Sequence, residues 1–345
     1  MINDNQKKII LIVSIDTECD KGANWEIQHP LKFRSVLEGI PNRLTPLFEK
    51  YDVKPTYLLS PEVIKDQECI QVLRSLKNCE LGTHLHGEFI DSEETLINRT
   101  STPQLSYEPD LEFEKLQSLT NLFKQAFGYD PKSFRAGRFG ISHQTINFLE
   151  RLGYKVDSSV APFRKIKFDV DHEVNFWGAP YYPYFPSRKN ITKKGKANVL
   201  EVPISTIIPL FANLPLIFQR IIGKNTARVK LILKKFISTE SENDTLIYLR
   251  PLRDSSQDLI NNANKIIHLW HHHYPPILNI MFHSVEVIEG SSPYVKNYED
   301  VDTFFNSLDS LIHFLKFNYQ LISLGLSEVF DFTVFGNKQD LSSYE

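Results

Sequence analysis

Short apolar runs alternate with stretches of helical spacing along most of the chain. Strand-length runs occur at Ile9 to Ile15, Val53 to Leu59, Leu81 to His86, Ser133 to Ala136, Val199 to Ile204, Leu246 to Leu249 and Ile277 to Phe282. Between them, stretches such as FRSVLEGIPNRLTPLFEKY, EFEKLQSLTNLFKQAFG, TINFLERLG and VDTFFNSLDSLIHFLKF carry apolar residues three and four positions apart. This alternation predicts a mostly parallel sheet or barrel with crossover helices.

Length and composition favour one α/β domain. A chain of 345 residues with 41% hydrophobic residues can bury a large core, and neither a repeat nor a low-complexity linker divides it. We therefore expect a single domain over residues 1–345. Two stretches interrupt the rhythm, FWGAPYYPYFPSRKN at 176–190 and the apolar, basic segment from Ile207 to Phe236. They predict a functional loop and a helical insertion at 205–240.

Charge and cysteine content narrow the class of protein. The net charge of −3 gives no reason to expect nucleic acid as a partner, and no run of 18 apolar residues could span a bilayer. The three cysteines show no metal-finger spacing and favour reduced thiols in a cytoplasm. We expect a cytoplasmic protein, with peripheral contact at the inner membrane face left open.

Acidic residues directly follow the first apolar run. KKIILIVSIDTECDKG begins like a signal peptide but leads into Asp16 and Glu18 without a small-residue cleavage site, which favours a strand. In ELGTHLHGE, residues His84, His86 and Glu88 are likewise two positions apart. Side chains at that spacing share one face of an extended chain. Because ligands gather at the carboxyl ends of parallel strands, we expect these groups to lie close together.

Four stretches in a fixed order carry a family resemblance. They are SIDTE at 14–18, GTHLH at 82–86, FRAGRFG at 134–140 and MFHS at 281–284. In order and spacing they resemble the motifs of the NodB-homology polysaccharide deacetylases, carbohydrate esterase family 4. FRAGRFGIS with the later LGYKVDSSV resembles the third and fourth motifs, and MFHSVEVIEGSSPY the last motif of members linked to bacterial surface-polysaccharide synthesis. The resemblance runs from residue 10 to about 325 and leaves the 205–240 segment uncovered.

The resemblance implies a distorted (β/α) barrel with added loops and assigns roles to single residues. Asp16 matches the general base, Arg135 the arginine that orients this base, and His283 the general acid. Glu18 stands where an acidic metal ligand is expected, and His84 matches the first metal-binding histidine.

The second motif departs from the family pattern, which places its two histidines four positions apart. Here position 88 is Glu88, and the second histidine, His86, lies only two positions after His84. A carboxylate with two imidazoles on one strand face is a common catalytic zinc set. We therefore predict Glu18, His84 and His86 as ligands of a divalent metal, with zinc first and other divalent ions as alternatives. Glu88 remains the alternative third ligand, and Asp16 the alternative to Glu18.

These residues together predict a metal-dependent hydrolase. The resemblance implies removal of an N-acyl group, acetyl first of all, from an amino sugar of a surface polysaccharide or its lipid-linked precursor. A bound dication lowers the pKa of water and polarises a carbonyl, while Asp16 and His283 transfer the protons. The alternatives are another C–N hydrolase on this scaffold, a deformylase or a cyclic amidase, and an inactive glycan-binding protein.

A histidine cluster, a cysteine and an aromatic cluster are further candidates for function. HLWHHHYPP at 268–276 ends a helical pattern, where histidines favour the helix C-terminus and water over a metal. Cys19 points away from Glu18 on an extended chain and is interpreted as a packing residue or free thiol. An aromatic cluster can be core or a platform for sugar rings. It consists of Trp177, Tyr181, Tyr182, Tyr184 and Phe185.

The residues from Arg188 to Lys235 are strongly basic, with eleven lysines and arginines against one acid, Glu201. Within them, TIIPLFANLPLIFQRIIGK is apolar but too short and too interrupted by proline to cross a bilayer. This stretch is either a structural cover of the barrel or a dock for an anionic membrane surface through residues such as Phe211 and Phe218.

Overall fold

One curled parallel sheet of eight strands forms the centre of the molecule. The structure is a computed structural model that describes residues 6–22, 24–90, 103–224, 246–251, 255–272 and 274–335. Its strands are β1 (Lys8–Thr17), β2 (Pro55–Leu59), β3 (Glu80–Leu85), β4 (Ser133–Ala136), β5 (Val156–Asp157), β6 (Lys165–Lys167), β7 (Glu173–Asn175), β8 (Pro186–Ser187), β9 (Asn190–Lys194), β10 (Leu200–Glu201), β11 (Thr206–Ile207), β12 (Ile247–Tyr248), β13 (Ile277–His283) and β14 (Gln320–Ser323). The main order is β10-β5-β4-β3-β2-β1-β13, and β14 pairs with the start of β1.

Helices cover the outside of this sheet. They are α1 (Thr45–Tyr51), α2 (Pro61–Lys65), α3 (Gln67–Ser75), α4 (Pro109–Phe127), α5 (His143–Arg151), α6 (Pro209–Ala212), α7 (Leu216–Lys224), α8 (Ser256–His268), α9 (Tyr298–Asn318) and α10 (Leu326–Phe335). A π-helix, Ser35–Leu44, runs directly into α1, and short 3-10 turns follow β3, β4 and β13. The predicted α/β class, a distorted barrel with crossover helices, is confirmed.

Most of the predicted strands form, but two are shortened. β1, β4 and β13 match their apolar runs closely, whereas only Leu200–Glu201 pairs within the predicted Val199 to Ile204. Pro203 lacks the N–H that would continue the ladder, so the chain leaves the sheet there. The run at 246–249 forms a two-residue antiparallel pair with β11 instead of a strand of the main sheet.

The inside of the curl has an apolar bottom and a polar middle. α10 closes the amino ends of the strands with Leu326 and Val329, which pack against Ile10 and Ile12. Higher up, Asn279 bridges the open edge, since its backbone N–H donates to Ser205 Oγ (2.8 Å) and its side-chain amide to Ser158 Oγ (3.0 Å). The carboxyl ends of the strands therefore sit on a rigid, hydrogen-bonded layer.

The predicted insertion at 205–240 begins at β11 and precedes β12, and the described part of it contains β11, α6 and α7. Residues 225–245 lie outside the described residues. Among the helices that are described, none combines the length and the apolar character that a membrane span requires.

Candidate metal centre

Three buried acceptor atoms converge where β1 and β3 end. Glu18 Oε1 lies 3.1 Å from the Nε2 atoms of both His84 and His86, and these two nitrogens are 3.1 Å apart. In tetrahedral zinc sites with bonds of about 2.0–2.1 Å, neighbouring ligand atoms are about 3.3 Å apart. The three residues form the one group of metal-ligand type found among the described residues.

Hydrogen bonds at Nδ1 fix the orientation of the imidazole rings of His84 and His86. His84 Nδ1 donates to the carbonyl oxygen of Arg135 (3.0 Å), and His86 Nδ1 donates to the carboxylate of Glu88 (3.3 Å). Each ring in its neutral form therefore turns the lone pair of Nε2 toward Glu18. Because three lone pairs cannot satisfy one another, the donor set fits a bound cation.

Glu88 serves His86 rather than joining the group of three. Its Oε1 also accepts a hydrogen bond from Arg138 at 2.6 Å. Burial raises the pKa of Glu88, but His86 and Arg138 lower it by more, so that the carboxylate stays ionised. The chain remains extended through His86 (φ −105°, ψ 93°), which is why the two-residue spacing keeps both rings on one face. This geometry favours Glu18, His84 and His86 over the alternative ligand Glu88.

Asp16 presents one carboxylate oxygen to an arginine and the other to the site. Arg135, which is fully buried, donates from Nη1 to Asp16 Oδ1 at 2.6 Å. Asp16 Oδ2 lies 3.7 Å from His84 Nε2 and 3.9 Å from His283 Nε2. Burial raises the pKa of Asp16, but Arg135, His84 and His283 together lower it below its usual value. Asp16 is thus an ionised group between His84 and His283.

His283 lies beside Asp16 because strand β13, near the other end of the chain, pairs with β1. β13 pairs with β1 so that His283 is the direct partner of Asp16. Its Nδ1 donates to Glu286 at 2.8 Å, and Arg250 contacts both groups. The ring edge also meets Trp25, with the ring centroids 5.1 Å apart. His283 therefore points a constrained Nε2 into the site while 15% of its side chain stays exposed.

Three functional neighbours were not among the predicted site residues. Lys21 is buried, and its Nζ lies 3.1 Å from Glu18 Oε2, the oxygen that faces away from the two histidines. Burial lowers the pKa of Lys21, but Glu18, Cys19 and Glu62 together raise it by more, so the ammonium group stays charged. Glu286 and Arg250 form the pair behind His283. The spacing of three residues in Glu18 to Lys21 and His283 to Glu286 is the signal that could have found two of them.

The other candidates lie elsewhere. His271 and His272 line a groove with Tyr181 and Tyr182, beyond the amino end of β13 and away from the metal centre. Position 273 lies outside the described residues. Cys19 is a buried free thiol, as interpreted from the sequence.

The aromatic cluster is divided between core and surface groove. Trp177 packs between Phe163 and Phe211, and Tyr184 is buried. Tyr181 and Tyr182 are only half-buried and line the groove. The core interpretation therefore holds for Trp177 and Tyr184, whereas a platform for sugar rings at Tyr181 and Tyr182 stays a prediction.

Comparisons with known proteins agree on the fold. No protein-family model and no curated protein sequence matches the chain. Among solved structures, a protein assigned as a glycoside hydrolase/deacetylase from Parabacteroides distasonis has a TM-score of 0.58 at 11% identity, covering 98% of this chain and 74% of its own. A protein assigned as a polysaccharide deacetylase from Mycobacterium smegmatis has a TM-score of 0.54 at 13% identity, covering 99% and 94%. The chain has the polysaccharide deacetylase fold.

A solved structure of an enzyme with a different activity also matches this fold. The allantoinase PuuE matches with a TM-score of 0.53 at 12% identity, covering 96% of this chain and 92% of its own. Identities this low establish the fold and leave the chemistry to the site. The branch linked to surface-polysaccharide synthesis stays a prediction.

Proposed function

We propose that the protein is a metal-dependent hydrolase that removes an N-acyl group, acetyl first of all, from an amino sugar. The observation that carries this proposal is the arrangement of three converging lone pairs, on Glu18, His84 and His86, with an ionised carboxylate and a histidine beside them. A divalent ion held there would supply Lewis acidity, which activates water and polarises a carbonyl. Two histidines and one carboxylate support zinc as that ion.

The proposed roles follow from where each proton can go. Asp16 would accept a proton from the attacking water, since its free oxygen faces the site and Arg135 keeps it ionised. The new C–O bond forms as the amide C–N bond breaks. His283, held by Glu286, would donate the proton that the leaving amine needs. The products are a free amino sugar and a carboxylic acid.

The substrate class rests on resemblance and on fold. Proteins assigned as deacetylases share this fold, and the sequence motifs support a surface polysaccharide or its lipid-linked precursor as the source of the amino sugar. A second candidate, hydrolysis of another C–N bond such as that of a cyclic amide, is supported by the structural similarity to an allantoinase. The paired hydrogen bonds behind both histidines argue against a glycan-binding protein without chemistry.

The test compares amides of both kinds. Purified protein loaded with Zn2+ is incubated with an N-acetylated amino-sugar oligomer and with a cyclic ureide, and the products are measured by mass spectrometry. We expect loss of one acetyl group from the oligomer, no change in the ureide, and a rate lowered by at least about a hundredfold with Asp16→Asn. Ring opening of the ureide alone would establish the second candidate, and no reaction with either would overturn the proposal of an acyl-sugar hydrolase. In cells, the mass of the glycan with and without the gene gives an independent check.

A further inference from the structure

Helix α7 turns a row of large apolar side chains toward solvent. Ile217, Phe218 and Ile221 are exposed by 62%, 54% and 55%. Their spacing of three and four positions places these three on one helix face. Leu210 of α6 and Leu214 in the turn before α7 precede them and are 40% and 38% exposed. Solvent-exposed apolar residues scattered singly are ordinary, but a continuous row on one helix marks an interaction surface.

Hydrogen bonds hold the opposite side of the helix against α6, the loop at Gly178 and strand β9. The buried side chain of Gln219 donates to the carbonyl oxygens of Phe211 (3.1 Å) and Leu214 (2.9 Å). Arg220 donates to the carbonyl oxygens of Gly178 (2.8 Å) and Thr192 (3.0 Å). These bonds fix the rotation of α7, so the outward direction of its apolar row is built into the fold.

The predicted apolar stretch contains both residues of the core and residues of the exposed row. Ile207 and Ile208 are buried, and Phe211 is half-buried against Trp177, with ring centroids 5.6 Å apart. Phe211 therefore belongs to the core and is a poor test of docking. Phe218, which the sequence pattern could not distinguish from it, belongs to the exposed row.

Basic residues flank this row. The hydrogen bond from Arg220 to Thr192 places the β8–β9 hairpin beside α7. The hairpin carries two exposed lysines, Lys193 and Lys194, and a third, Lys196, follows it. Lys194 Nζ lies 4.6 Å from the ring centroid of Tyr182, which shares a groove with Leu214 and Leu216. Between residues 188 and 224 the single acid is Glu201, and it is fully buried. Every exposed charged side chain between residues 188 and 224 is therefore basic.

We propose that the exposed face of α7, with the lysines of the β8–β9 hairpin, docks on an anionic lipid bilayer. Apolar side chains of this size lie at the boundary between headgroups and acyl chains, and lysines beside them attract anionic lipid. A symmetric contact between two copies would bring the same lysines face to face, and their repulsion opposes it. The proposal does not depend on the catalytic reaction.

Vesicle sedimentation tests the proposal. The full chain is sedimented with vesicles of phosphatidylcholine alone and with added phosphatidylglycerol, at low and high salt. We expect binding to the anionic vesicles at low salt, release at high salt and weak binding to neutral vesicles. Ile217→Asp with Phe218→Asp should reduce binding roughly tenfold or more, because two apolar side chains that the bilayer would bury become charged. Phe317→Asp is the matched control, since Phe317 is 73% exposed on α9, and it should bind like wild type.

A second variant guards against loss of folding. Lys193→Glu with Lys194→Glu leaves the apolar row intact and should weaken binding to anionic vesicles only. Circular dichroism and light scattering monitor folding and oligomeric state. The proposal is overturned if the folded wild-type protein binds neither vesicle, if it binds both vesicles equally at all salt concentrations, or if Phe218→Asp abolishes a dimer that forms without lipid.

Discussion

The two oxygens of the Asp16 carboxylate face different partners, and this allows its role to be separated from metal binding. Asp16→Asn keeps the size of the side chain and leaves Glu18, His84 and His86 in place. We expect the hydrolysis rate to fall by about a hundred- to ten-thousand-fold because the general base is lost. Elemental analysis should find the metal content unchanged. Loss of the metal together with the activity would show that Asp16, and not Glu18, is the ligand.

Glu88 and His86 make a second pair of roles that substitution can separate. Glu88→Gln retains an oxygen that can accept from His86 Nδ1, whereas His86→Ala removes a ligand atom. We expect Glu88→Gln to weaken Zn2+ binding by about tenfold, because the neutral amide oxygen supports the imidazole less strongly than the carboxylate does. The loss for His86→Ala should be far larger. Competition with a chelating dye measures both, and the reverse order would make Glu88 the ligand.

At the scale of single residues, the sequence predicted the members of the site better than their supports. Asp16, Glu18, His84 and His86 follow from strand spacing, since a period of two needs no knowledge of the fold. Arg250 could not be found in this way, because it reaches His283 from the residues that follow β12, a short strand outside the main sheet. Contacts made across the curl depend on register, and periodicity alone does not specify register.

At the scale of elements, the paired short strands β5 and β10 bring two buried carboxyl groups together. Asp157 and Glu201 are direct partners in register. Asp157 Oδ2 and Glu201 Oε2 find no hydrogen-bond donor among the described residues, and one proton held between them would satisfy both. Burial raises the pKa of both groups, and Asp157 raises that of Glu201 further. The folded state therefore holds a proton that the unfolded chain releases.

This proton predicts how Glu201→Gln affects stability. Because the pKa of Glu201 is raised on folding, its stabilising contribution is complete below the unfolded value near 4.5 and is lost as the pH rises. The glutamine has no proton to lose and can donate to Asp157. We expect the variant to be more stable than wild type at pH 8 by on the order of 1–3 kcal/mol, and by less at pH 5.

Urea unfolding at the two pH values measures the difference. Glu173→Gln, on the exposed strand β7, is the matched control and should show no gain that depends on pH. A Glu201→Gln variant that is destabilised equally at both pH values would mean that the carboxyl pair holds no proton.

At the scale of the whole molecule, the chain's alternation of apolar runs and helices was sufficient for the fold class. The alternation predicted a mostly parallel sheet or barrel because each buried strand is short, strongly apolar and followed by a helical pattern. The distorted form of the barrel was implied by the family resemblance. The helical insertion was less predictable, since an apolar run has the same sequence signature whether its side chains face the core or solvent. Ile207 and Ile217 illustrate this, being 1% and 62% exposed.

Protonation of His86 should be visible in the stability of the metal-free protein. Burial lowers the pKa of His86, but Glu18 and Glu88 raise it by more, to about 9 from 6.5. A raised histidine pKa stabilises the folded state fully below pH 6.5, and this contribution is lost as the pH rises through 9. We expect wild type to be more stable than His86→Gln at pH 6 by up to about 3 kcal/mol, with the difference vanishing near pH 10.

Denaturant unfolding in the presence of a chelator provides the measurement. The difference between wild type and variant removes the contribution of other histidines. Zn2+ should replace the proton, so wild type with metal should keep its stability at pH 9 through binding. A difference between the two proteins that does not change from pH 6 to pH 10 would contradict the assigned proton.

The pairing of β1 with β13 has a consequence for synthesis on the ribosome. Ser14 bonds to Asn279, 265 residues later, and Glu18 N–H bonds to Ser284 Oγ, 266 residues later. At about 5–20 residues per second, roughly ten to fifty seconds separate the synthesis of these partners. During that time the apolar strand β1 lacks the neighbour that covers one edge, and such an edge can pair with other chains. We therefore expect this edge of β1 to stay uncovered on the nascent chain until the last fifth of the sequence, which contains β13, emerges.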